Sequence, residues 1–163
     1  MILLLPILTI LAAVGSGIMA GLFFAFSSFI MTAFSRLPPE QGIAAMNSIN
    51  VTILNATFGL AFFGTALLCI FLAIISFLRW TEPGSAWLLT GSLLYLIGII
   101  AVTVAFNVPL NDALQAVSPA SPEGAALWTR YLAEWVPWNH VRTIASTGSL
   151  VAFVLAYAKL GAA

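Results

Sequence analysis

Four apolar stretches, at residues 2–34, 55–78, 86–106 and 141–160, decide what this chain can fold into. Crossing about 30 Å of hydrocarbon takes about 20 mostly apolar residues in a helix, and each stretch is long enough. The charged side chains fall almost entirely between them. Arg36, Pro38 and Pro39 follow the first, Arg79 and Trp80 close the second, Pro109 breaks the third and Lys159 ends the fourth. Lipid offers no partner to a free backbone amide, and the sequence shows no ten-residue alternating strands, so the spans are expected to be helices. The expected fold is all-α: an antiparallel bundle of four transmembrane helices, with short interfacial helices in the first and third connections. It forms a single integral membrane domain over residues 1–163, multi-pass in the cell membrane. Residues 1–11 lack the positive n-region of a secretory signal, so they are read as part of an uncleaved first span.

Composition closes the other routes. Hydrophobic residues make up 62% of the chain and charged ones 6%, five of each sign. A soluble domain carries roughly a quarter of its residues charged. A soluble globule, a nucleic-acid binder relying on phosphate contacts and a disordered tail are therefore excluded. The single cysteine, Cys69, rules out a disulfide or thiolate zinc site within one chain and reads as an inert core thiol.

The first connection, residues 38–54, reads as a short helix with proline near its start. The third contains a second candidate helix at 122–135, in which Trp128, Tyr131 and Trp135 share a face and Arg130 can pair with Glu134. That aromatic stripe is expected to anchor at head-group depth, with a substrate-stacking platform as the alternative. Small residues mark expected helix contacts: Ala13, Gly17, Gly21 and Ala25 on the first span, Gly91, Gly98 and Ala105 on the third.

Uncharged polar residues collect at one end of the bundle. Antiparallel spans bring Asn50, Thr103, Asn107, Asn111, Asp112, Asn139, His140 and Arg142 to the same membrane side. Unpartnered polar groups are costly in hydrocarbon, so these imply a hydrogen-bonded network or a wet cavity, with a purely structural polar plug as the alternative. Pro109 frees the carbonyl of Ala105 and aims Asn107 and Asn111 into the bundle mouth. Asn139 is expected to cap the fourth span, which places His140 in its first turn as a candidate base or metal ligand. Arg142 is expected near the interface, paired with Asp112, Glu134, a lipid phosphate or a substrate anion. Two residues turn a helix so far that His140 and Arg142 cannot aim at one point, and His140 is placed first.

Several of these residues carry a family resemblance. They are Phe24-Ala25-Phe26-Ser27, Met46 with Asn50, Thr103 with Asn107-Val108-Pro109-Leu110-Asn111, and Trp128, Tyr131 and Trp135 followed by Asn139, His140, Arg142 and Thr143. Over nearly its whole length the chain resembles a family of small bacterial membrane proteins, catalogued as a domain of unknown function and grouped with the fungal anthrone oxygenases. It departs from many relatives in having Thr32 and Ala56 where they have proline. The resemblance implies oxygen insertion at the activated CH2 of an anthrone-like or quinol-like substrate, with no cofactor required. Such chemistry needs a base, donors for an oxyanion and a dry pocket. The implied catalytic residues are His140, Asn107, Asn111 and Asn139. Asn50, Thr103, Trp135, Trp138, Arg142 and Asp112 are implied to contact substrate, and no metal site is implied.

The alternative is a non-catalytic bundle that binds a lipid, a quinone or a haem with His140 as axial ligand. A site shared across a homo-oligomer is compatible with either reading. A transporter subunit ranks last, because the span interiors carry no charge. Membrane lipid and a hydrophobic small molecule are the expected partners.

Overall fold

The computed structural model describes residues 4–160, which form five helices joined by short turns. Four of them, α1 (Leu4–Phe34), α3 (Ala56–Leu78), α4 (Ser85–Ala116) and α5 (Pro122–Leu160), are long and apolar enough to cross a membrane. The fifth, α2 (Pro39–Thr52), fills the first connection. Local chemistry sets the ends. Pro39 stands in the first turn of α2, where its missing amide costs nothing. Asn55 ends α2 and starts α3 together: its Nδ2 donates to the carbonyl of Thr52 at 3.0 Å and its Oδ1 accepts from the amide of Phe58 at 3.0 Å. Gly84, at φ 87°, makes the left-handed turn into α4.

The long helices run up and down in a ring, with α1 against α5, α5 against α4, α4 against α3 and α3 closing on α1. In the half that ends at Arg79 and Lys159 they approach closely. A Cβ on Gly15 would run into Thr65 Oγ1 and, at mid-bundle, one on Gly98 into the Cβ of Ala145. A Cβ on Gly91 would lie 3.0 Å from the Phe153 ring. Ser149 Oγ donates to the carbonyl of Gly91 at 2.8 Å and pairs with Ser16 Oγ at 3.0 Å. The expected ridge of Gly17 and Gly21 is not the contact. Gly17 meets only Leu150, Gly21 faces open space, and the buried face of α1 runs through Ala12, Ser16, Met19 and Phe23.

Two expected breaks are absent. Pro109 does not end the third span. The amide of Val108, just before it, donates to the carbonyl of Thr103, five residues back. This wide π-turn makes room for a ring that would otherwise meet the carbonyl of Ala105, and α4 continues to Ala116. Nor is 122–135 a separate interfacial helix: it is the first third of α5, which passes through Pro137 without a break. An interior proline costs about 3 kcal/mol or more. Packing on both sides offsets that cost, since Tyr131 and Trp135 before it and Asn139 and Arg142 after it are all buried.

The consequence reverses the aromatic stripe. At 39 residues α5 is about 58 Å long, and one buried stripe runs along it from Trp128 and Tyr131, through Asn139 and Arg142, to Phe153 and Ala156. The aromatic residues therefore face inward rather than toward head groups. Trp128, Tyr131 and Trp135 stack in series at 5.6 and 5.8 Å between ring centres. With Ile43 and Met46 of α2 and Leu110 and Leu114 of α4 they form a second apolar cluster at this end of the bundle. Gly42 lets α2 sit directly on Trp128, whose ring would lie 2.7 Å from any Cβ there.

Candidate functional site

Beneath that second cluster the helices stop meeting and leave a cavity of about 420 Å³. Four π-turns surround it: Phe26–Ile30 in α1, Leu60–Gly64 in α3, and Leu96–Ala101 and Thr103–Asn107 in α4. Each contributes at least one lining residue, namely Phe26, Phe62, Ile100 and Thr103. A π-turn inserts a residue into a helix and shifts the phase of every side chain after it, and such turns recur at functional sites. The carbonyls disturbed in α3 find a new donor: Tyr95 Oη donates to Phe62 O at 3.0 Å.

Most of the wall is apolar, with Phe23 and Phe26 from α1, Met46 from α2, Phe58 and Phe62 from α3 and Trp135 from α5. The polar groups converge from three helices. Asn50 comes from α2, Thr103 and Asn111 from α4, Asn139 and Arg142 from α5, while Asp112 and Gln115 stand at the exposed rim. The asymmetry expected between the two ends is therefore present.

Arg142 dominates the chemistry. It is 6% exposed. One terminal nitrogen donates to Asn139 Oδ1 at 2.7 Å and the other to Thr103 Oγ1 at 3.3 Å. Its guanidinium lies 4.4 Å from the centre of the Phe23 ring and 5.0 Å from that of Trp135, so two aromatic faces share the charge. No carboxylate among the described residues joins it. The salt bridges formed by those residues are Arg79–Glu82 and Arg130–Glu134, and the second removes Glu134 from the expected partners. Asp112 lines the cavity but makes no salt bridge to Arg142.

Asn139 holds the arginine in place. Its Oδ1 accepts from Arg142, which commits its Nδ2 as donor, and that nitrogen reaches Phe23 O at 2.8 Å and Ser27 Oγ at 2.7 Å. Asn139 thus ties α5 to α1 from mid-helix and is not the cap expected of it. Asn111 is a double acceptor, taking Tyr131 Oη at 2.7 Å and Trp135 Nε1 at 2.9 Å on one oxygen. Asn107 is buried beside the cavity and donates to the carbonyl of Trp135 at 3.3 Å. Two residues of the lining each carry a buried nitrogen with no hydrogen-bond partner among the described residues, Arg142 Nε and Asn50 Nδ2. A buried donor left unpaired costs about 1–3 kcal/mol, so a ligand acceptor that reached either one would be favoured.

Two expected site residues lie elsewhere. His140 is exposed and outside the cavity lining. With α5 continuous through Asn139, the residue one step beyond a buried asparagine turns away from the bundle. Only one of His140 and Arg142 can point inward, as their spacing requires, and it is Arg142. Trp138 also turns out of the cavity and stacks on Phe106 with ring centres 3.6 Å apart. Conversely, Phe23 and Phe62 were not anticipated as site residues, Tyr131 entered only through the alternative of a stacking platform, and Ser27 only as part of the family motif. The alternating three- and four-residue spacing of the buried stripe on α5 was a usable signal for Tyr131 and for the phase of Arg142. Nothing comparable marks Phe62. Among the described residues no group of three or more His, Cys, Asp or Glu side chains is placed to hold a metal ion.

A family model described as anthrone oxygenase matches residues 52–152, a range that takes in α3, α4 and α5 as far as the polar groups of the cavity. The chain belongs to that family. No curated protein and no solved structure matches it.

Proposed function

From that membership and the chemistry of the cavity, we propose that the protein binds a flat, apolar aromatic ketone or phenol beside Arg142 and oxidises it with molecular oxygen. It does so in the cell membrane, where such a substrate dissolves. The observation that carries this reading is a guanidinium buried against two aromatic rings, facing a mostly apolar cavity, with no carboxylate among the described residues to neutralise it. Arginine remains charged at neutral pH. In surroundings of low polarity it attracts negative charge on a ligand oxygen far more than it would in water.

The chemistry follows for an anthrone. Removing a proton from the CH2 opposite the carbonyl gives an enolate whose charge rests on oxygen. Arg142, with Asn50 as second donor, stabilises that oxyanion. Asp112, at the rim, is the lining carboxylate assigned to receive the proton. The electron-rich carbon then transfers electrons to O2 and bonds to it, giving a hydroperoxide. Loss of water leaves a second carbonyl, so anthrone plus O2 gives anthraquinone plus water. The aromatic walls orient the ring and keep bulk water from the reacting carbon.

One observation favours a second reading. Neither an imidazole nor a thiol lines the cavity, which leaves Asp112 as the sole lining carboxylate among the described residues to serve as base. A site that holds a quinone or lipid without turnover needs no base. Oxygen uptake and anthraquinone absorbance with purified protein and anthrone separate the two. Turnover that falls by about 100-fold or more in Arg142→Met, the scale of losing one oxyanion donor, supports the oxygenase. Arg142-dependent binding with oxidation no faster than in buffer supports the binding protein.

A further inference from the structure

We infer that the ligand of this cavity carries a hydrocarbon tail, which leaves the bundle sideways between α3 and α4 into the lipid. The inference deepens the proposed function and rests on its placing of an oxygenated aromatic head at Arg142.

The cavity is not closed on the α3–α4 side. On α3, Phe62 is 5% exposed and its neighbour Phe63 is 59% exposed, yet both line the same cavity. On α4, Thr103 faces Arg142 while Val104, 65% exposed, lines the cavity from the outside. A space bordered by both members of such in-and-out pairs runs from the interior to the surface. The backbone shows the same separation. The two helices approach closely between Thr65–Leu78 and Ser85–Tyr95, and the closeness is lost toward Ala56–Gly64 and Thr103–Asn107. Those last segments hold the π-turns Leu60–Gly64 and Thr103–Asn107.

Polarity is graded along this passage. At its inner end are the guanidinium of Arg142 and the free donors Arg142 Nε and Asn50 Nδ2. At its outer end are Leu54, Phe63, Val104 and Val108, all apolar and exposed. A compact three-ring ketone has nothing to place against that outer end. A ring whose oxygen meets Arg142 and whose alkyl or isoprenoid chain follows the passage matches both ends. Each CH2 moved out of water into apolar surroundings is a gain. A tail already in lipid forgoes that gain, so its advantage lies in fit and orientation within the passage. Affinity must therefore be compared at equal mole fraction in the bilayer.

The test uses the full-length protein in lipid nanodiscs and two probes. One is 2,3-dimethoxy-5-methyl-1,4-benzoquinone and the other is the same ring bearing a decyl chain. Binding is read from the quinone absorbance retained by protein-loaded nanodiscs over empty ones, a readout that added tryptophans do not alter. The tailed quinone is expected to bind at least tenfold more tightly than the bare ring. Val104→Trp, which fills the outer end of the passage from an exposed position, should bring that ratio close to one. Leu54→Trp, also at an exposed site, should do the same. A ratio near one in the wild type, or one that neither variant moves, overturns the tail while leaving the head site intact. Binding of both probes that is indifferent to Arg142→Met overturns the head site itself.

Discussion

The two ends of this bundle are built from the same four helices by opposite rules. At the end near Arg79 and Lys159, glycine, alanine and serine let backbones touch. Gly15 meets Thr65 and Gly91 meets Phe153, and at mid-bundle, in the π-turn Leu96–Ala101, Gly98 meets Ala145. At the other end, bulky rings and the π-turns Phe26–Ile30, Leu60–Gly64 and Thr103–Asn107 border a void, and α2 with the aromatic ladder of α5 covers the gap. Water-driven burial contributes little to helix association in lipid, so close contact is what holds the first end together. The second end gives up close contact and stabilises itself through hydrogen bonds and aromatic stacking around a void. Stability and the candidate site are thus assigned to different halves of one short protein.

Four substitutions would break or sharpen that contrast, each followed by unfolding in mild detergent. The largest loss is expected where the helices touch. Gly98→Leu must displace Ala145 and part α4 from α5, and overpacking of this kind costs about 1–3 kcal/mol or more. A fall in thermal midpoint smaller than that of Gly21→Leu, which faces open space, would refute the assignment. Next comes Asn139→Leu, which takes one hydrogen-bond partner from Arg142, Ser27 and the carbonyl of Phe23, while Ser27 keeps Thr143 and Arg142 keeps Thr103. The bond lost at the inner nitrogen of Arg142 costs about 1–3 kcal/mol, and ligand binding should be lost as well.

Arg142→Met should behave differently. Removing a buried cation that no carboxylate among the described residues pairs relieves its desolvation cost, which offsets the hydrogen bond lost at Asn139 Oδ1. Its unfolding midpoint should therefore stay close to wild type while ligand binding collapses, and an unfolded variant would show that the arginine is structural. The smallest effect belongs to His140→Ala. On an exposed position outside the cavity, it should change stability by less than about 0.5 kcal/mol and leave binding and turnover unaltered. A turnover loss at His140 would return catalysis to the outer face of α5.

How much of this was legible beforehand depends on the range of the forces involved. The four spans could be read because hydropathy acts on each segment separately. The polar end could be read because antiparallel order follows from short connections, and Asn50, Thr103, Asn111, Asn139 and Arg142 do meet there. The error came at helix ends. Pro109 signals a stop when local propensity is all one has, and Asn139 reads as a cap. That cap put His140 in a first turn and ahead of Arg142, while reading 122–135 as a separate interfacial helix turned Trp128, Tyr131 and Trp135 toward head groups.

The sequence by itself determined the membrane-spanning, all-helical character of the chain, the number of spans and the end at which polar side chains gather. Charge and hydropathy are properties of residues and do not wait for partners. Only the tertiary structure decided which side of α5 faces in, where the π-turns fall and that the polar end encloses a cavity open between α3 and α4. Those outcomes depend on contacts between segments far apart in the chain. The packing on either side of a proline outweighs its cost only once α1, α2 and α4 are in place against it.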